Sequence, residues 1–285
     1  MERASNKLSG NDMYDFANIL FSGPCSARCY FCIGSQINPD LRRPNLTQYP
    51  PAGIEQLMAL IWEANIRQVV FSGTDTDPQL YRHEEQLLAF LRRNLPPGVQ
   101  FSLHTNGRQA LRKMSVFNQY DRVTISLPSF DPQVYFQMMG VHNPPDLARI
   151  LAQAEAPVKI SCLVDEHNAP GLLDFLTHCH DLGIRRLVLR KLFGDTHPMQ
   201  SRLEIVMPAL TPRASYRGNP VYQFGAMEVT VWDFLETQSR AINLFADGTL
   251  SDQYLLTSPG WAGEADYLHK TLSNWTASAP ASSMA

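Results

Sequence analysis

No stretch of this 285-residue chain is apolar for long enough to cross a bilayer, and its opening residues, MERASNKLSGND, hold no apolar core of an export signal. A membrane is therefore not an expected partner, and a cytoplasmic setting is. An excess of charge of one sign is missing too. Lys and Arg number 24 against 27 Asp and Glu, the formal net charge is −3, and no long basic run exists. Such a balance argues against a partner gripped by its phosphate backbone, so nucleic acid is excluded as well. Cysteine is scarce and odd in number, five in all. Without an export signal, that count reads as reduced thiols or metal ligands and not as a disulfide framework. What is present is a composition, 44 % hydrophobic and 18 % charged, able to bury one large core.

Short β-branched or aromatic runs alternate with amphipathic stretches from about residue 14 to Phe193. YDFANILFS, RQVVFSG, VQFSLHT, DRVTISL, PVKISCLV and IRRLVLRKL read as strands, and the segments between them carry apolar residues at spacings of three and four. This is the pattern of βα units around a parallel sheet. Six strands are too few for a closed eightfold barrel. The division expected is a flexible start over 1–12, a barrel domain over 13–193, a Pro- and Gly-rich linker or lid over 194–220, a small β-rich region over 221–272 and a disordered tail over 273–285. Within the β-rich region Asp247-Gly248 marks a hairpin turn.

Three of the five cysteines fall in GPCSARCYFCIG, as Cys25, Cys29 and Cys32. Three thiolates at C-x3-C-x2-C can hold three corners of a cubic iron–sulfur cluster and leave the fourth iron without a protein ligand. A structural zinc site wants four ligands in closed geometry, and a distant His such as His104 is the alternative that would complete one. Cys162 lies mid-strand and Cys179 mid-helix, where small buried side chains are expected.

The cysteine loop after the first strand, with Phe31 before the third cysteine, resembles the signature of radical S-adenosylmethionine (radical SAM) enzymes. The resemblance implies a partial (β/α)6 barrel of TIM type with the β-rich region as an appendage. It also implies a [4Fe–4S] cluster on Cys25, Cys29 and Cys32, with SAM chelated at the open iron. The expected chemistry is reductive cleavage of SAM to a 5′-deoxyadenosyl radical, with electrons from a donor such as flavodoxin or ferredoxin. Ser72, Gly73, Thr74 and Asp75 stand where the family has a Gly-Gly-Glu-Pro turn for the SAM amino group. Read without the family, Asp75 or Asp77 caps the following helix. LHTNG, with His104, resembles the third strand end of the molybdopterin-precursor cyclase branch. By the same resemblance Ser126 contacts SAM, Phe31 lies near adenine, Leu192 packs on it, and Lys159 meets substrate. Arg190 reaches the SAM carboxylate or a substrate anion, or else forms a helix-facing ion pair. His104 and Lys159 are the catalytic candidates.

The cyclase itself is a poor match. No cysteine follows Cys179, and ANILFSG and QVVFSG lack the arginines expected to hold a nucleotide triphosphate. The expected substrate is thus a small metabolite or a short peptide. Arg202, Arg213, Tyr216 and Arg217, in the irregular stretch, are further candidates for meeting an anionic group.

Overall fold

The computed structural model describes residues 14–195 and 197–253. The expected flexible start and polar tail, and the end of the β-rich region, lie outside the described residues. The first half alternates strand and helix: β1 (Phe16–Phe21), α1 (Ile54–Glu63), β2 (Gln68–Gly73), α2 (Glu84–Asn94), β3 (Gln100–Thr105), α3 (Met114–Phe117), β4 (Arg122–Ser126), α4 (Pro132–Met139) and α5 (Leu147–Gln153). There follow β5 (Val158–Leu163), α6 (Leu172–Asp181), β6 (Arg186–Arg190), α7 (Met199–Leu203), β7 (Thr211–Tyr216), β8 (Asn219–Phe224), β9 (Met227–Trp232), β10 (Ala241–Leu244) and β11 (Leu250–Ser251).

Strand alternation decides which way each side chain goes. Ala17, Ile19, Val69, Phe71, Leu103, Ile125, Ile160 and Leu187 are buried in one continuous core beneath the helices. Their neighbours Asn18, Gln68, Ser72, His104, Thr124, Lys159 and Arg186 face the opposite way, into a lumen. An ordinary barrel of this kind fills its interior with branched apolar residues; this one leaves it hollow, with polar and charged side chains set among apolar ones. Local signals set the helix ends. Asp131 caps α4 by accepting from the Gln133 and Val134 amides, Pro132 occupies its first position, and Gly140 ends it at φ 64°.

Two expectations about the second half change. The stretch 194–220 is not a plain linker: Met199, Leu203, Val206 and Leu210 bury one side of a helical segment, and the chain then enters β7. The apolar period was present but interrupted by prolines. Every residue of β7 is exposed, and its pairing with β8 shifts register between Pro212 and Ala214. Such an edge strand gives no alternation to read.

Nor do the later strands form a separate appendage. One sheet runs β11-β10-β1-β2-β3-β4-β5-β6-β9-β8-β7. β10 pairs in parallel with β1, and β9 in parallel with β6, so eight strands run in parallel, seven of them lining the lumen. The sheet stays open between its ends. An ion pair, Arg217 Nη1 to Asp15 Oδ2 at 2.6 Å, ties the β7–β8 turn to the start of β1.

Candidate active site

The lumen is a cavity of about 430 Å³ that opens at the C-terminal ends of the first strands, where the cysteine loop lies. β1 leads straight into that loop. Its path is held by backbone and short side chains: the Gly23 amide donates to Asp75 Oδ1 (3.2 Å), Thr76 Oγ1 to the Pro24 carbonyl (2.6 Å), and the Arg28 amide to the Met139 carbonyl (2.8 Å). The last contact needs Gly140, because a Cβ there would lie 2.5 Å from the Arg28 carbonyl oxygen. Cys25, Cys29 and Cys32 are free thiols, and all three line the cavity.

The donor set suits a cluster better than a single ion. Two thiolates on one zinc ion stand at most about 4.6 Å apart, given the Zn–S bond length. Among the described residues, however, Asp165, Glu166 and His167 form the one group with three such ligand atoms mutually within 4.8 Å. At least one pair of the three sulfurs therefore lies more than 4.8 Å apart, and one thiolate on each of three irons does not need them closer. His104, the alternative fourth ligand for zinc, does not join them within that radius. Desolvation pushes the Cys25 thiol up to about 11, and burial raises Cys29 and Cys32 as well. Without a cation to offset that cost the loop carries protonated thiols.

The turn after β2 packs directly on this loop. The Thr74 amide donates to the Phe21 carbonyl (2.8 Å), and its hydroxyl, 3.0 Å from that carbonyl and 3.1 Å from Asp75 Oδ1, donates to one or the other. A Cβ on Gly73 would sit 1.7 Å from the Thr76 carbonyl oxygen, and one on Gly34 would sit 2.2 Å from that of Thr74. Glycine at both positions is a packing requirement. The helical turn that follows is capped by Asp77, which accepts from the Gln79 amide (2.9 Å); Asp75 faces the cavity.

Asp77 does more than cap. Its buried carboxylate accepts from Thr105 Oγ1 (2.9 Å) and from the Asn106 amide (2.6 Å), joining the β2 turn to the end of β3. Burial raises its pKa, and these donors pull it back. The arrangement brings Asn106 Nδ2 to 3.0 Å from Ser26 Oγ and 3.9 Å from Cys25 Sγ. Sequence reasoning singled out the Thr-Asn-Gly run and Asp77 separately but missed their union, which no spacing in the sequence announces.

Across the lumen, strand register gathers the remaining candidates. His104 on β3 stands opposite Thr124 on β4, Thr124 opposite Lys159 on β5, and Arg186 on β6 opposite Glu228 on β9. All line the cavity, as do Ser126 and Arg190. The His104 side chain is exposed to the lumen and crowded by the barrel wall around it. Desolvation, followed by the charges of Lys159 and Arg190, drops its pKa to about 3, so it is neutral at pH 7. Desolvation also lowers Lys159 to about 8, with Arg186, Arg190 and Arg122 adding to the shift and Glu228 opposing it.

Of the other expected residues, Phe31, Ser72, Gly73 and Thr74 line the cavity. Leu192 does not. The chain turns after β6, with the Asp195 amide donating to the Leu192 carbonyl (3.1 Å), and presents Lys191 and Phe193 to the cavity instead. Arg190 does not point among the helices: its guanidinium lies 4.9 Å from the centroid of the Phe234 ring. Arg202 pairs with Asp195, and Arg213 is exposed on β7, so neither lines the cavity, whereas Tyr216 and Arg217 do.

Comparison with known proteins bears on the family and the fold. Residues 19–159 match the family model described as the Radical SAM superfamily. The GTP 3′,8-cyclase of Nostoc sp. is 30 % identical over 177 residues, which cover 56 % of this chain and 49 % of that protein. A probable GTP 3′,8-cyclase of Thermococcus kodakarensis is 31 % identical over 143 residues, covering 50 % and 43 %. The chain thus spans about half the length of the curated relatives it matches. Among solved structures, Streptococcus suis SuiB bound to S-adenosylmethionine aligns with a TM-score of 0.52 at 14 % identity, covering 69 % of this chain and 44 % of that one. TYW1 with a lysine-pyruvate adduct bound aligns with a TM-score of 0.50 at 14 % identity, covering 72 % and 77 %. These two likenesses are of fold.

Proposed function

This chain belongs to the radical SAM superfamily and is an enzyme of that class, using a [4Fe–4S] cluster and SAM; from that premise we propose that it abstracts hydrogen from a small metabolite or short peptide bound in its lumen. One observation carries the reading. The three free thiols and the Ser72–Asp75 turn open onto the same cavity as His104, Lys159 and Arg190. When bound, the cluster and SAM supply a one-electron cleavage that yields methionine and a 5′-deoxyadenosyl radical.

The chain's own residues position and enclose that chemistry. Cys25, Cys29 and Cys32 would hold the cluster, and Asn106 supports the Cys25 end of the loop. Carbonyls of the Ser72–Thr74 turn accept from the SAM ammonium, and Asp75 adds negative charge. The Ser126 hydroxyl suits a ribose or carboxylate oxygen, and the Phe31 backbone lies beside adenine. Lys159 and neutral His104 face the substrate, with His104 as a hydrogen-bond partner or proton acceptor. The strand wall surrounds the substrate, and the Arg217–Asp15 tie spans its open side. Electrons reach the exposed face of the cysteine loop from a flavodoxin or ferredoxin.

GTP is not the proposed substrate. On β1 and β2 the lumen is lined by Phe16, Asn18, Gln68, Val70 and Ser72, none of them cationic, so the arginines expected there for a nucleotide triphosphate are missing. Anaerobic reconstitution followed by SAM and dithionite tests the reading: 5′-deoxyadenosine should form, and wild-type protein should carry about four irons per chain. A colourless protein with one zinc and no SAM cleavage would overturn it.

A further inference from the structure

The side of the lumen away from the cysteine loop is aromatic. Phe193 meets Phe234 at 5.6 Å between centroids, Phe234 meets Trp232 at 6.4 Å, and Trp232 meets Tyr216 at 6.4 Å. All four rings line the cavity. They come from the loop after β6, from the end of β9 and just beyond it, and from β7. The family match ends at residue 159, so the family pattern does not prescribe this wall. Such rings, left facing a cavity, favour a flat partner, because offset stacking adds to simple burial.

The same wall carries cations. Arg190 lies over Phe234, and Arg190 stands opposite Leu163 of β5, the strand that also holds Lys159. Lys159 has no hydrogen-bond or ion-pair partner among the described residues. Of the acidic side chains near this wall, Glu228 is paired with Arg186 at 3.3 Å and Asp233 with Lys191 at 3.0 Å. An anion is therefore the complement that the Lys159 ammonium lacks.

We propose that the substrate is a planar, ring-bearing organic anion, its ring laid against Trp232, Phe234 and Phe193 and its anionic group drawn to Lys159 and Arg190. This rests on the lumen being the substrate chamber, and it goes beyond that reading by naming what the chamber selects. The residues assigned to SAM, from Phe31, the Ser72–Asp75 turn and Ser126, lie on the β1, β2 and β4 side. The aromatic wall is left for the second ligand.

The test uses cluster-loaded, SAM-saturated protein under anaerobic calorimetry with three probes: indole-3-carboxylate, neutral indole, and cyclohexanecarboxylate. Indole-3-carboxylate should bind about tenfold more tightly than either comparator, the upper end of what one stacked pair contributes and the lower end for one charge-assisted hydrogen bond. Trp232→Leu, or Phe234→Leu should the first variant fold poorly, should erase the preference for the flat ring. Lys159→Gln should erase the preference for the anion. SAM affinity, measured in the same samples, should not change in any of them. Equal binding of the three probes, or no binding at all, would overturn the proposal. So would a fall in SAM affinity on Trp232→Leu, which would make the wall the adenine seat while leaving the radical SAM reading intact. Loss of SAM cleavage in wild-type protein would instead count against the reading on which the proposal rests.

Discussion

The two sides of the cavity are built by different means. On the cluster side, irregular backbone faces the cavity, and it is held by short-range exclusions and a buried polar network: Gly73 and Gly34 against neighbouring carbonyls, Asp77 against three donors, Thr74 and Thr76 against β1 and the loop. On the far side, strand side chains face the cavity, placed by register and free of such constraints. A site made of backbone cannot be altered without disturbing the fold that shapes it. A site made of strand side chains can be altered one residue at a time, which lets one scaffold serve many substrates.

The largest expected effect tests the cluster side. Cys29→Ala should lose the cluster and all SAM cleavage, read by iron and sulfide content; a variant with full cluster would erase the distinction between the two sides. Next, Gly73→Val must move the Thr76 carbonyl, since even a Cβ would sit 1.7 Å from it. SAM affinity and thermal midpoint should fall together. Asp77→Ala leaves the Gln79 and Asn106 amides without their acceptor, the Thr105 hydroxyl keeping only Gln79 Oε1, and should cost about 3 kcal/mol, measured by urea denaturation. Were it to cost nothing, the network would not be what holds the turn.

The far side should respond to pH and not to folding. Lys159 faces Arg186, Arg190, Arg122, Glu228 and neutral His104, and its pKa is about 8. Binding of indole-3-carboxylate should therefore be strong at pH 7 and decline as pH rises through 8 and above. Lys159→Gln should flatten that limb. The folded lysine releases its proton near pH 8, whereas an unfolded one holds it to about 10.4. Between those values the unfolded chain binds more protons, so stability should rise with pH, and the rise should be smaller in the same variant. The smallest effect lies outside both sides. Cys162 and Cys179 are fully buried in the core, so Cys162→Ala and Cys179→Ser should cost on the order of 1 kcal/mol with cluster content unchanged.

Much of the cluster side was legible before folding because its signals are local. C-x3-C-x2-C, the Gly-containing turn after the second strand and the Thr-Asn-Gly run each lie within a few residues, and all three line one cavity. The far side was less legible. Leu192 was expected on the cavity, but the path after β6 depends on pairing with β9: the Lys191 amide donates to the Trp232 carbonyl, 41 positions later in the chain. That contact is followed by the turn that places Phe193 on the cavity instead.

Short-range pattern alone determined the six βα units, the direction of each strand's apolar face and the three thiols in one loop, because periodicity and spacing are properties of neighbouring residues. Only the tertiary structure decided that β9 and β10 extend the same sheet at both edges, that Arg217 ties its open side to Asp15, and that Asp77 locks two strand ends under the cysteine loop. Each of these is a pairing between residues tens to hundreds of positions apart. A hydrogen bond or ion pair of that kind depends on where the chain returns in space, which no local period encodes.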